Sequence, residues 1–307
     1  MSEWTEEIEV DEELAQRLVA SQFAPLPERS VELVAQGWDY TVHLVDGQWA
    51  FRFPRRQVVV PGTEREIAVL PRIAPRLPVS VPAPVFVGRP TDEYPWPFYG
   101  ARFLPGVEVG DAGLTDAQRV ALARPLARAL RALHAPELVA EVGPDLPVDS
   151  VGRGDMIRRV PRTREQLAAV SELGLWEPPP LVDELLERAL RLPPASAAAI
   201  CHGDLHFRQV LLDGGRLGGI IDWVDVCRGD PGIDLVLLWS FFPPEGRAEF
   251  LAEYGTVSEE ALLRGRVLAL FLSAVLARYG RDRAMASVEA EAVAGLRRAV
   301  AASAAES

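Results

Sequence analysis

Two short β-forming runs within residues 210–221 are separated by the pair Gly214-Gly215. Adjacent glycines supply the positive φ angles that a tight hairpin turn requires. The segment therefore predicts a β-hairpin, in which the residues before the first strand and after the second lie side by side. This is the strongest constraint on the fold, because it decides which distant side chains can share a site.

Three oxygen-bearing side chains flank the predicted hairpin. Asp204 and Gln209 precede its first strand, and Asp222 follows its second. Carboxylate and amide oxygens, together with nucleotide phosphates, are the ligands that Mg²⁺ prefers, whereas Zn²⁺ is bound mainly by His and Cys. The residue types at the ends of the hairpin therefore favour a magnesium site.

A magnesium site with a further carboxylate is suited to phosphoryl transfer. That reaction needs a base to orient the attacking hydroxyl group, and metal ions and cationic groups to neutralise the phosphates. Residues 201–235 contain most of these groups, in the strings HGDLH, IIDW and GDPGIDL. The combination resembles the aminoglycoside and macrolide phosphotransferases, whose fold is similar to that of protein kinases.

The resemblance implies a role for each of these polar residues. Asp204 would be the catalytic base, and Asp222 would be the principal metal ligand. Gln209 stands at the position where relatives usually have an asparagine metal ligand. Asp230 and Asp234 resemble the structural acids of the family.

Residues 37–56 resemble the hairpin that covers the nucleotide in this family. On that resemblance Arg52 would be the phosphate-binding cation, at a position where many relatives have lysine. Glu66 stands at the place of the helix glutamate that pairs with this cation in kinases, and Glu64 is the weaker candidate. No G-x-G-x-x-G loop is present here, so the backbone of residues 38–41 is expected to grip the phosphates.

Gln209 departs from the family pattern. Its side chain is one methylene longer than that of asparagine, which moves the amide oxygen and changes the metal geometry. A catalytically silent protein, which keeps the fold and binds nucleotide without turnover, is therefore the alternative from another functional class. His202, in the same segment, is expected to hold the loop by hydrogen bonds and not to transfer protons.

The composition of the chain changes after residue 104. Residues 1–104 predict an N-lobe, with a leading helix over 11–23 and β-rich runs that include a hairpin turn at Asp46-Gly47. Residues 105–307 predict a C-lobe that holds the catalytic loop and a helical substrate-binding region. The expected fold is therefore α+β, two-lobed and protein-kinase-like, with a nucleotide bound between the lobes.

Helical periodicity marks three further segments. A helix is expected to begin near Thr63, and Pro71 and Pro75 are expected to shorten it. An alanine-, leucine- and arginine-rich helix is predicted over residues 116–134. Apolar residues at helical intervals over 245–302 predict a helical bundle.

The charge balance limits the partners of the protein. A formal net charge of −12 argues against binding to nucleic acid or to an anionic membrane surface, and is compatible with a cationic substrate. Glu245, Glu249 and Glu253 are expected to help recruit such a substrate. The 2 cysteines are too few for a disulfide framework or a four-thiolate zinc site.

The sequence also bears on location. The first residues lack the basic segment and apolar run of a secretory signal, and no stretch reaches the roughly 18 continuous apolar residues of a membrane span. A cytoplasmic location is therefore expected. The tripeptide Arg-Gly-Asp occurs at 153–155 and 228–230, and without a secretory signal it is assigned no role in adhesion.

The family resemblance implies a small-molecule kinase. It would transfer the γ-phosphoryl group of ATP or GTP, with Mg²⁺, to a hydroxyl group of an aminoglycoside-like acceptor, and so confer antibiotic resistance. A macrolide or an ordinary metabolite is the alternative acceptor.

Overall fold

The computed structural model describes residues 7–24, 26, 30–37 and 39–301. The chain divides into two compact units, of which one is rich in β-sheet and the other is mostly helical. The sheet-rich unit combines the chain up to Pro75 with Ser80–Pro105 and Asp222–Val224. The helical unit combines Arg76–Val79 and Gly106–Ile221 with the chain from Asp225 onward.

Among the described residues, the sheet-rich unit contains two α-helices and a five-stranded antiparallel sheet with the strand order β1-β2-β3-β5-β4. In chain order its elements are α1 (Glu12–Gln22), β1 (Val31–Gln36), β2 (Tyr40–Val45), β3 (Trp49–Pro54), α2 (Val60–Ile73), β4 (Pro84–Gly88) and β5 (Phe98–Arg102). Its core is largely aromatic, and the rings of Phe53 and Phe98 stack with centroids 4.6 Å apart.

Local sequence signals account for several of these elements. The side chain of Asp11 caps α1 by accepting from the Leu14 backbone N–H at 2.8 Å, which satisfies one of the unpaired donors of the first turn. The β2-β3 hairpin turns at Asp46 and Gly47, whose φ angles are +52° and +62°. The predicted leading helix and this hairpin are confirmed.

Helix α2 is longer than the sequence predicts. The expectation that Pro71 would shorten it is wrong, because the helix runs through Pro71 to Ile73, but the helix does end before Pro75 as expected. A proline removes one helical hydrogen bond. In the last turn of α2 this loss is offset by the burial of Val69, Leu70 and Ile73.

The helical unit contains eight α-helices and five short strands within the described residues. In chain order they are β6 (Val107–Glu108), α3 (Asp116–Leu133), α4 (Pro136–Val142), α5 (Met156–Glu172), α6 (Leu181–Ala189), β7 (Ala199–Cys201), β8 (Val210–Asp213), β9 (Arg216–Ile220), β10 (Cys227–Gly229), α7 (Val236–Ser240), α8 (Pro244–Tyr254), α9 (Glu259–Asp282) and α10 (Ala286–Val300). The strands form one antiparallel sheet of order β6-β8-β9 and the antiparallel pair β10-β7. No helix in the described part of the chain is long and apolar enough to cross a membrane.

Helices α3 and α10 are joined by a buried ion pair. The guanidinium of Arg119 donates two hydrogen bonds, of 2.8 and 2.7 Å, to the carboxylate of Glu291. Bidentate geometry of this kind compensates the loss of hydration of both charges. Helix α3 itself begins with a capping box between Thr115 and Gln118. The helices predicted over residues 116–134 and in the C-terminal segment are confirmed.

The β8-β9 hairpin is formed as the sequence predicts. Val210 pairs with Ile220, and the chain reverses at Gly214 and Gly215, whose φ angles are +55° and +78°. The backbone N–H of Ile221 then donates to the carbonyl oxygen of Gln209 at 2.9 Å. The hairpin therefore places Gln209 beside the residue that directly precedes Asp222 in the sequence.

Candidate active site

Arg52 and Asp222 form an ion pair in the sheet-rich unit. Arg52 lies in the middle of β3 with its side chain 13% exposed, and its Nη2 donates to Oδ1 of Asp222 at 2.5 Å. The Cζ atom of Arg52 lies 3.8 Å from the centroid of the Tyr40 ring, on the neighbouring strand β2. Cation–π stacking and the carboxylate together fix the orientation of the guanidinium.

Glu66 completes this cluster from helix α2. Its Oε2 lies 3.8 Å from Nε of Arg52, and its Oε1 accepts a hydrogen bond of 3.1 Å from the backbone N–H of Trp223. Glu66 is fully buried, whereas Glu64 is exposed. The structure thus brings together three predicted site residues, namely Arg52, Glu66 and Asp222.

Burial and neighbouring charges have opposite effects on the pKa values of Glu66 and Arg52. Burial raises the pKa of Glu66 to about 7, against the effect of the Arg52 charge, which lowers it. Burial by itself lowers the pKa of Arg52, but the carboxylates of Glu66 and Asp222 outweigh it, so that this pKa lies above its ordinary value. Arg52 is therefore a permanent cation in this cluster, whereas Glu66 can change its charge near neutral pH.

The backbone at Asp222 is in the left-handed region, with a φ angle of +66°. That region is uncommon for residues other than glycine and is frequently found at functional sites. The side chain of Asp222 is 39% exposed, whereas the following Trp223 is fully buried. A buried anchor therefore holds a carboxylate that is accessible to solvent.

Asp204 lies in the helical unit, in the loop that follows β7. Asp234 braces this loop, because its carboxylate accepts the backbone N–H groups of His202 at 2.7 Å and Gly203 at 3.1 Å. Gly203 has a φ angle of +91°, and a Cβ atom at this position would lie 2.2 Å from the carbonyl oxygen of Asp225. Only glycine fits this conformation and this space.

Two histidines hold the same loop. Nδ1 of His202 accepts from the Asp204 backbone N–H at 3.3 Å, and its Nε2–H donates to the Ile221 carbonyl oxygen at 2.9 Å. His202 thus has the structural role that the sequence predicts. His134 caps the end of α3 and donates from Nε2 to Oδ2 of Asp234 at 3.1 Å.

The carboxylate of Asp204 is held by an arginine that the sequence analysis missed. Nη1 of Arg153 lies 2.9 Å from Oδ1 of Asp204, and Nη2 of the same guanidinium donates to Oδ2 of Asp225. Asp149 positions the arginine by accepting the backbone N–H groups of Arg153 and Gly154, both at 2.8 Å. No motif in the sequence marked this contact, since Arg153 belongs to a tripeptide to which no role was assigned.

Gln209 supplies an oxygen that has no partner. Its side chain is buried, with 7% of its surface exposed, and Oε1 makes no hydrogen bond to any residue that the structure describes. An unpaired buried amide oxygen is costly, and a bound cation would compensate it. The amide oxygen of Gln209 and the carboxylate of Asp222 are each of the donor type that Mg²⁺ prefers.

His206, in the Asp204 loop, is also positioned by hydrogen bonding. Its Nδ1 accepts from the Arg208 backbone N–H at 3.3 Å, and its Nε2 lies 3.8 Å from Oδ2 of Asp204.

Asp230 lies outside this loop. It caps the short helical turn after β10 and accepts from the backbone N–H of Gly232, as expected of a structural acid. Trp38, which belongs to the predicted phosphate-gripping backbone of residues 38–41, lies outside the described residues.

Two of the glutamates of α8 form ion pairs with arginines of α3. Glu249 accepts from Arg124 at 2.5 Å, and Glu253 lies 3.1 Å from Arg128 and 3.3 Å from Arg131. Arginines of α3 therefore already pair with Glu249 and Glu253, whereas Glu245 is exposed, and recruitment of a cationic substrate by these glutamates stays a prediction. The sequence did not reveal this pairing, since α3 and α8 are far apart along the chain.

Comparisons with known proteins agree on one family. The model of the phosphotransferase enzyme family, APH, matches residues 30–268. A segment of 58 residues is 36% identical to the uncharacterized protein YcbJ of Bacillus subtilis (strain 168). That segment covers only 19% of this chain and 19% of YcbJ.

Solved structures show the same fold over nearly the whole chain. The GDP and kanamycin complex of APH(2")-IIia is 24% identical, with a TM-score of 0.67, and the similarity covers 93% of this chain and 97% of that one. Macrolide 2'-phosphotransferase type I is 23% identical, with a TM-score of 0.62 and coverages of 97% and 100%. Macrolide 2'-phosphotransferase MphH from Brachybacterium faecium is 22% identical, with a TM-score of 0.58 and coverages of 93% and 97%. The predicted α+β, kinase-like fold is confirmed.

Proposed function

Since the chain belongs to the phosphotransferase enzyme family, we propose that it transfers the γ-phosphoryl group of ATP or GTP to a hydroxyl group of a small molecule. The observation that carries this proposal is the cluster of Arg52, Glu66 and Asp222. A buried permanent cation beside an accessible carboxylate is the arrangement that a nucleotide phosphate and its metal ion require.

On the nucleotide side, each residue of the cluster has a role. Arg52 binds phosphate oxygens through its planar guanidinium, and Glu66 and the Tyr40 ring orient it. Asp222 and Gln209 would hold Mg²⁺, which when bound neutralises phosphate charge. Arg52 is paired with Asp222 in the structure, and the other N–H donors of its guanidinium group can bind phosphate oxygens.

On the acceptor side, Asp204 is the proposed catalytic base. Its carboxylate orients the attacking hydroxyl group and accepts the proton from it as the new O–P bond forms, while the bond from the γ-phosphorus to the β,γ-bridging oxygen breaks and the nucleoside diphosphate leaves. Arg153 holds Oδ1 of this carboxylate, and the loop behind it is fixed by Asp234. This support restricts the carboxylate to one orientation, which proximity catalysis requires.

We further propose an aminoglycoside-like acceptor, and with it a role in antibiotic resistance. The support is the similarity to structures of relatives whose complexes contain kanamycin, gentamicin or streptomycin. A macrolide is the second candidate, because two of the similar structures are macrolide 2'-phosphotransferases. The cytoplasmic location stays a prediction from the sequence.

A nucleotide-consumption assay across aminoglycosides, macrolides and hydroxylated metabolites tests the proposal. We expect ATP or GTP consumption to rise when the correct acceptor and Mg²⁺ are present. The Asp204→Asn variant should lose at least about 100-fold in kcat while its nucleotide affinity is unchanged. If the wild type consumes no nucleotide with any acceptor and Gln209→Asn restores consumption, the protein is instead a catalytically silent nucleotide binder. If Asp204→Asn keeps full activity, the assignment of the base is wrong.

A further inference from the structure

Arg159, on helix α5 of the helical unit, is a buried cation without an ionic partner. Only 3% of its surface is exposed, and its Cζ lies 4.4 Å from the centroid of the Phe271 ring on α9. Its Nε is buried and makes no hydrogen bond, and no carboxylate in the described part of the chain pairs with its guanidinium. Stacking on one aromatic ring does not replace the hydration of a full charge.

The guanidinium groups of the other buried arginines have hydrogen-bond partners. Each of them donates a side-chain hydrogen bond to a carbonyl or carboxylate oxygen within the described residues. They are Arg55, Arg119, Arg247, Arg264 and Arg266. This fold therefore pairs its buried guanidinium groups wherever it can, and Arg159 is the exception. An unpaired buried charge is strongly unfavourable unless a bound group compensates it.

The surroundings of Arg159 are positively charged on one side. Burial lowers the pKa of Arg159 to about 10, and the charges of Arg153 and Arg162 lower it further. Asp149 and Asp204 oppose this effect but do not outweigh it. Arg153 is already engaged by two carboxylates.

Arg162 extends this positive region to the surface. It lies on the exposed side of α5, three residues after Arg159. Two cations near Arg159 repel it, and one of them reaches solvent. An exposed arginine near the buried guanidinium can attract a solvated anion to this part of the surface.

We propose that Arg159, with Arg162 at its outer edge, forms an anion-binding subsite in the neighbourhood of Asp204, for a group with phosphate or carboxylate chemistry. The inference rests on the proposed function, because it places the anion on the acceptor side of a phosphoryl-transfer site. Two sources have this chemistry, namely an acidic substituent of the acceptor and the phosphoryl group that the product carries. Guanidinium groups suit both, since they donate two parallel hydrogen bonds to such oxygens.

Binding of inorganic phosphate to the full chain, without nucleotide or acceptor, tests the subsite independently of turnover. We expect wild-type protein to bind phosphate and to gain thermal stability, and Arg159→Met to lose about tenfold or more in phosphate affinity. Arg162→Gln should lose less phosphate affinity than Arg159→Met does. Arg164→Gln is the matched control, because Arg164 lies on the same helix but is paired with Glu187.

Two results would overturn the proposal. The first is phosphate affinity that Arg159→Met leaves unchanged. The second is phosphate binding that is lost in Arg52→Met instead, which would assign the anion to the nucleotide cluster. Without phosphate, Arg159→Met should be as resistant to urea as the wild type, because it removes an unpaired charge. If Arg162→Gln and Arg164→Gln behave alike, Arg162 has no part in the subsite.

Kinetics with matched acceptors then distinguish the two sources. Acceptor pairs that differ only in one acidic substituent are compared in wild type and Arg159→Met. If the acidic acceptor has the lower KM in wild type only, the anion belongs to the acceptor. If KM values are equal but the phosphorylated product inhibits wild type more strongly than Arg159→Met, the anion is the transferred group. Phosphate binding without any turnover would leave the subsite standing and remove the proposed kinase function.

Discussion

The guanidinium of Arg52 contacts the carboxylate of Asp222 at 2.5 Å, although 170 residues separate them in the sequence. The same guanidinium is 3.8 Å from Glu66, which is beyond hydrogen-bond distance. Arg52 therefore donates a hydrogen bond to the proposed metal ligand, whereas the helix glutamate stabilises its charge without a hydrogen bond. Four predictions follow from this cluster and from the loop of Asp204.

Replacement of Arg52 by methionine should weaken nucleotide binding. Contacts between a guanidinium and phosphate are worth about 1.5–3 kcal/mol each, so we expect a loss of about 10- to 100-fold in ATP or GTP affinity. Isothermal titration calorimetry of the variant with ATP or GTP measures this loss of affinity. Arg17→Gln is the control, because Arg17 forms an exposed pair with Glu93 in the same unit. Equal nucleotide affinity in Arg52→Met and wild type would refute the assignment.

Replacement of Gln209 by leucine should raise the Mg²⁺ concentration needed for half-maximal activity, by about tenfold or more. The reason is that Oε1 is a buried oxygen without a hydrogen-bond partner in the described chain. A titration of activity with Mg²⁺ at saturating nucleotide measures the shift. Gln209→Asn keeps the amide and should change the Mg²⁺ requirement less than leucine does. An unchanged requirement in the leucine variant would exclude Gln209 as a ligand.

The stability of the protein should fall as the pH rises through the titration of Glu66. Its pKa is 4.5 in the unfolded chain and about 7 in the folded protein, so between these values the folded state holds a proton that the unfolded state has lost. The free energy of unfolding therefore decreases over this window, by no more than about 3 kcal/mol, and levels off above it.

Urea denaturation of wild type and Glu66→Gln at several pH values isolates this effect. The glutamine variant carries no charge to titrate, so the decrease should be absent from it. Glu64→Gln is the matched control, since Glu64 is exposed two residues away on the same helix. Identical pH dependence in Glu66→Gln and wild type would show that the buried carboxyl does not titrate in this range.

Replacement of Arg153 by methionine should lower kcat by about 10- to 100-fold and leave nucleotide affinity unchanged. The guanidinium holds Oδ1 of Asp204, and its positive charge favours the carboxylate form. The acidic limb of the pH–rate profile should therefore move to higher pH, which a purely structural role would not cause. Arg158→Met is the control, because Arg158 is exposed and paired with Asp155. A profile that does not move would argue against a positioning role.

Short-range signals made much of the fold predictable. The turns at Asp46-Gly47 and Gly214-Gly215 need positive φ angles, and the sequence contains suitable residues there. The order of the five-stranded sheet was not predictable in the same way, because β5 inserts between β3 and β4. Strand order depends on long-range packing, which local patterns do not encode.

Some residues of the candidate site could likewise be identified from the sequence, and others could not. Asp204, Gln209 and Asp222 could be identified because they flank one hairpin, and Arg52 and Glu66 because their segments resemble a family pattern. The structure adds that Arg52 and Asp222 are in contact. Arg153 could not be found, since its contacts with Asp204 and Asp225 join distant parts of the chain without a repeated spacing.

Residues 222–224 complete the sheet-rich unit although the rest of that unit ends at Pro105. As a ribosome synthesises the chain, Trp223 follows Glu66 by 157 residues, which corresponds to a delay on the order of ten seconds. During that interval the nascent unit lacks the backbone N–H group that binds Glu66 and the carboxylate that binds Arg52. Glu66 and Arg52 are therefore buried charges without these two partners until the later segment has been synthesised.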